Sequence, residues 1–100
     1  MENFIINFYE ESYQYDTTVL DNIHLIDAEM TAIQRLQSAK RYRKSDYWAE
    51  GMLNGKPVFR VKTEGSEILV TDMKNGINWR PLDLKEAYEK FNKYSATVQG

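Results

Sequence analysis

The sequence predicts a single α+β domain in which a small antiparallel sheet packs with two helices. Three observations carry that expectation. Short alternating apolar runs are separated by turn residues, an Asn-Gly pair joins two of them, and two other stretches place apolar residues at helical spacing. One hundred residues is room for one core, so residues 1–100 are read as one domain without repeat, linker or low-complexity tract.

The sheet is expected to hold three to five strands, with a meander of 47–53, 57–63 and 67–72 and an N-terminal strand at 3–9. In that first strand Phe4, Ile6 and Phe8 alternate with Ile5, Asn7 and Tyr9. Glu10-Glu11-Ser12 turns the chain. Tyr13, Tyr15, Thr17 and Val19 alternate again, which suggests a second hairpin strand, while Thr18 as a helix cap is the competing reading of 13–26. The first helix is expected over 27–43, with Asp27 as its N-cap and Met30, Ala32, Ile33, Leu36 and Ala39 on one broad face.

Asn54-Gly55 is the sharpest local signal, because both central residues of a type I′ turn need positive φ. A two-residue loop pairs Leu53 with Lys56. An uninterrupted register then sets Trp48 opposite Val61 and puts Trp48, Met52, Phe59 and Val61 on the core face. Tyr47, Arg60 and Lys62 fall on the other face, and Gly51 is a candidate bulge. Ile68-Leu69-Val70 reads as a central strand, Ile77 to Arg80 as a brief edge segment. The second helix is expected over 83–94, where Asp83 and Glu86 have capping-box spacing and Leu84, Ala87, Tyr88, Phe91 and Tyr94 form one stripe.

The absence of cysteine removes disulfides and thiolate chemistry and suits a reducing compartment. No apolar run exceeds three residues, so neither a membrane span nor a signal-peptide core is expected, and the cytoplasm is the default location. The catalytic inventory is thin: one histidine, His24, and no recognisable nucleophile, phosphate-binding or dinucleotide motif. Asp21-x-x-His24-x-x-Asp27 would splay on a helix and point to opposite sides on a strand, so no metal, cofactor or catalytic residue is assigned.

Net charge is only −2, yet it is unevenly laid out. Residues 1–34 contain seven acids and no lysine or arginine, whereas 35–44 contain five basic residues and no acid. Such segregation bears on partners rather than on fold. Six of the acids, Glu10, Glu11, Asp16, Asp21, Asp27 and Glu29, are candidates for an acidic surface that imitates a phosphate backbone and meets a basic protein. Arg35, Lys40, Arg41, Tyr42, Arg43 and Lys44, with Trp79 and Arg80, are candidates for a protein or nucleic-acid contact. The plainer role of the basic residues in 35–44 is to complement a helix C-terminus, and that of Arg80 is to stack on Trp79.

These features point to a non-enzymatic protein-binding module, an inhibitor that occludes a basic, nucleic-acid-handling target. Small phage-encoded anti-defence proteins and nuclease immunity proteins share this general profile, a likeness of class that no motif carries. A nucleic-acid-binding accessory protein using the basic helix end, or a structural subunit of a larger assembly, are the alternatives.

Overall fold

The computed structural model describes residues 1–42, 45–65 and 67–80. Among these, strands β1 (Glu2–Glu10), β2 (Tyr13–Ile23), β3 (Tyr47–Leu53), β4 (Lys56–Glu64), β5 (Glu67–Asp72) and β6 (Ile77–Trp79) join one helix, α1 (Leu25–Tyr42). The strands form one antiparallel sheet in the order β2-β1-β3-β4-β5-β6. The expected sheet of three to five strands packed with two helices is therefore corrected to a six-stranded sheet with a single helix among the described residues. The segment 83–94, read from its sequence as a second helix, lies outside them.

Two strands account for the larger sheet. The β-branched run Thr17-Thr18-Val19 favours extended backbone, and β2 pairs along the whole of β1, which excludes a helix capped by Thr18. Ile77–Trp79 adds the other edge beside β5. After β2 the chain crosses over in α1 and returns as β3 on the far side of β1, so β1 lies between its hairpin partner and the strand that follows the helix.

α1 begins two residues earlier than expected. The His24 carbonyl accepts from the amides of Asp27 and Ala28, which places Asp27 in the first turn rather than at the cap. The helix packs against β1 to β4 on one face of the sheet. Phe4, Ile6 and Phe8, Ala49, Phe59 and Val61, and Ile68 and Val70 supply the sheet side of the core; Ala28, Ala32, Ile33 and Leu36 supply the helix side. Each large side chain among them contributes roughly 1.5–3 kcal/mol by leaving water.

The Asn54-Gly55 turn forms as expected, with φ of 52° and 78° and Leu53 opposite Lys56. The register beyond it does not continue unbroken. Met52 pairs with Pro57 but Gly51 with Phe59, so Val58 is an extra residue in β4. From there Ala49, not Trp48, faces Val61. The expected faces of β3 are thereby exchanged. Tyr47 is buried, and Trp48 lies with Arg60 and Lys62 on the side of the sheet away from α1.

Gly51 is required by contact rather than by turn geometry. A β-carbon there would sit 1.9 Å from the nearest atom of the Phe59 ring, which is itself completely buried. Gly51→Ala should therefore destabilise the protein by about 2 kcal/mol, seen as a lower urea midpoint with unchanged slope. Made in a Phe59→Leu background, the same substitution should cost less, because the ring that it strikes is gone.

Candidate functional site

The sheet face turned away from α1 carries its own ordered side chains. Tyr9 and Trp48 are cross-strand neighbours whose rings stack at 3.9 Å and 7°. The Arg60 guanidinium lies 5.3 Å from the Trp48 ring and donates to Glu50 at 2.8 Å. The Trp48 indole N–H donates to the Glu11 carbonyl at 2.7 Å, and the Glu11 amide donates to the Asp46 carbonyl at 2.8 Å. Those two bonds hold Glu11 at a φ of 52°, a backbone region that glycine favours. The turn between β1 and β2 is thus tied to the start of β3.

A shallow cleft of about 420 Å³ opens beside Trp48, between Asp46, Arg60, Lys62, Thr63 and Glu64. Its chemistry is self-contained. Lys62 pairs with Glu64 at 3.2 Å, Arg60 with Glu50, and the Thr63 hydroxyl bonds the Tyr47 backbone. Tyr9 and Arg60 already lie against the Trp48 ring, which leaves it poorly placed to stack on a base.

The basic candidates separate on folding. Arg35 reaches from α1 across the Phe8 ring, 4.3 Å from its centroid, and bonds Asp16 and the Thr18 hydroxyl. Lys40 donates to the Ser45 carbonyl at 3.2 Å, and Arg41 is exposed. Arg80 bridges Glu64 and Glu67 at the other end of the sheet. Trp79 is half-buried and donates to Glu29 at 3.3 Å. Tyr42 closes α1, and Arg43 and Lys44 lie outside the described residues.

The acidic candidates divide in the same way. Asp16 and Asp21 are exposed on β2, five residues apart and so about 16 Å apart at strand rise, and Glu11 is exposed in the turn before it. That spacing is too sparse to reproduce the charge density of a phosphate backbone. Glu10 accepts from the Tyr47 hydroxyl, and Asp27 is half-buried in the first helical turn. The Asp16 carboxyl is held below its usual range, chiefly by its hydrogen bond from Arg35.

Glu29 is inside the protein, only 2% exposed. Burial pushes its carboxyl up to about 8, the nearby Asp72 carboxylate adds to the rise, and the bond from Trp79 opposes it. Asp72 is occupied in closing the turn after β5, where it accepts from the amides of Lys74 and Asn75 and from the Asn75 side chain. The signal for Glu29 was present in the sequence. It precedes Ala32, Ile33 and Leu36 by three, four and seven residues, which places it on the buried stripe. Sequence reasoning also passed over Val19 and Ile5, a cross-strand pair left 62% and 47% exposed.

Comparison with protein-family models, curated proteins and solved structures found no match.

The raised Glu29 carboxyl has a measurable sign. Between about 4.5 and about 8 the unfolded chain releases a proton that the folded chain keeps, so this group makes stability fall as pH rises through that window and level off above it. Urea unfolding across pH 5–9 should show Glu29→Gln removing a slope of at most about 1.4 kcal/mol per pH unit. Wild type and variant changing in parallel would contradict this.

Proposed function

We propose that this protein is a small, cytoplasmic, non-enzymatic binding module that inhibits by occlusion, docking its β1–β2 hairpin on a basic surface of a nucleic-acid-handling protein. One observation carries the reading. The hairpin forms one whole edge of the described sheet and displays Glu11, Asp16 and Asp21 beside exposed Tyr13 and Val19, in a stretch without lysine or arginine. Carboxylates at the rim would steer a basic partner, while the exposed tyrosine and valine supply apolar contact once it has docked.

The internal pairing of the cations supports a protein partner over a nucleic acid. Arg35, Arg60, Lys62, Lys74 and Arg80 each have a carboxylate within ion-pair distance, and those pairs would have to open before phosphates were bound.

Affinity capture at low and raised salt tests the reading, with the Glu11→Lys/Asp21→Lys double variant as control. The wild type should hold a basic protein that added DNA or RNA displaces, and the double variant should hold it about tenfold less well. Equal capture by the variant, or a complex that ignores both salt and nucleic acid, would contradict it. A gel shift with nucleic acid alone that Arg41→Glu abolishes would support the accessory-protein alternative instead.

A further inference from the structure

Strand β2 ends the sheet, and among the described residues it is hydrogen-bonded to a neighbour, β1, on one side only. Irregularities at Tyr15 and at Asp21-Asn22 bracket a regular stretch, Asp16 to Leu20. Edge strands are commonly blunted by charged side chains, proline or bulges; β2 has no lysine or proline, and its irregularities lie outside Asp16–Leu20. The Thr17 amide is already taken by the Asp16 carboxylate at 2.8 Å, and the remaining outer backbone groups are a template for another strand.

The edge is held in place from behind. Arg35 grips Asp16 and Thr18 from α1 while resting on Phe8, so the strand is tied to the core independently of anything beyond it. A template ordered in advance reduces the entropic cost of adding a strand. On the face away from α1, Val19 continues a row begun by Ile5, and both are substantially exposed.

Charge decides between occupants. Arg35 answers Asp16, whereas Asp21 is exposed and has no ion-pair partner among the described residues. Pairing β2 with a second copy of itself would bring two unanswered Asp21 carboxylates to one seam and no cation beyond the Arg35 that each Asp16 already holds. A strand bearing lysine or arginine has the opposite balance.

We infer that β2 is a strand-addition site for an extended basic segment of the partner protein, which seats an apolar residue against Val19 and a lysine or arginine, two positions along, against Asp21. This rests on the reading under Proposed function and supplies the contact by which occlusion would occur. Main-chain bonds to Asp16–Leu20 give affinity, and the alternating side chains give selectivity.

The test titrates the isotope-labelled full chain with a nine-residue strand peptide in which valine and lysine alternate at every second position, with threonine between them, so that one face carries both. Two controls are used, the same peptide with alternate amides methylated along one edge, and a glutamate–valine analogue. The expected result is saturable binding in which amides within residues 16–20 gain protection from hydrogen exchange. Both control peptides should bind about tenfold more weakly, and Asp21→Asn should weaken the basic peptide. Shifts centred on Trp48 and Arg60, or affinity indifferent to methylation, would overturn the inference. Protection of 16–20 that grows with protein concentration alone, together with a dimeric mass, would also overturn it by making a second copy the occupant. If the salt-sensitive complex forms while these amides stay unprotected within it, strand addition fails and the broader reading survives. If the peptide binds as expected but no cellular complex responds to charge reversal, the broader reading fails instead.

Discussion

The extra residue in β4, Val58, determines which side chains of β3 and β4 meet the helix. Without it, the Asn54-Gly55 register would carry Trp48 into the core and leave Tyr47 outside. With it, Phe59 crosses over Gly51 and Ala49 meets Val61, giving α1 a low surface on β3 to pack against. The tryptophan is displaced to the opposite face, where it joins Tyr9 and anchors the β1–β2 turn through Glu11. A local irregularity of one residue thus links core packing to the conformation of the edge hairpin.

Arg35 makes the complementary connection from the helix side. Its guanidinium covers Phe8 and holds Asp16 and Thr18, so the first cation in the sequence is used to fasten the acidic strand. Charges that are segregated along the chain become paired in space, as Lys74 with Glu2 also shows. What remains exposed on the hairpin is sparse in charge and rich in backbone and β-branched surface. Such a surface fits strand pairing better than imitation of a polyanion.

Much of this architecture was legible in the residues. The alternation of Phe4, Ile6 and Phe8, the Asn54-Gly55 turn, and the buried stripe of Met30, Ile33 and Leu36 all depend on local periodicity and turn chemistry. The misplaced features depend on contacts distant in sequence. Gly51 marks the bulge in the sequence, and the register does shift between Gly51 and Met52; that the extra residue is Val58 of the facing strand, where Phe59 crosses Gly51, is a contact neither strand shows alone. The strand identity of residues 13–23 is settled by pairing with β1, and the position of β3 beside β1 is set by the helical crossover. Of the candidate site residues, Arg35 and Glu29 were read by charge, whereas their roles follow from what α1 packs against.

The most direct test of this account is a nuclear Overhauser map of the Trp48 indole in the labelled protein. Cross-peaks are expected from Trp48 to the Tyr9 ring and the Arg60 side chain, with Tyr47 close to Tyr15 across the other face. Cross-peaks from Trp48 to Ile33 or Leu36 of the helix would mean that the strand pair runs without the bulge at Val58, and would contradict it.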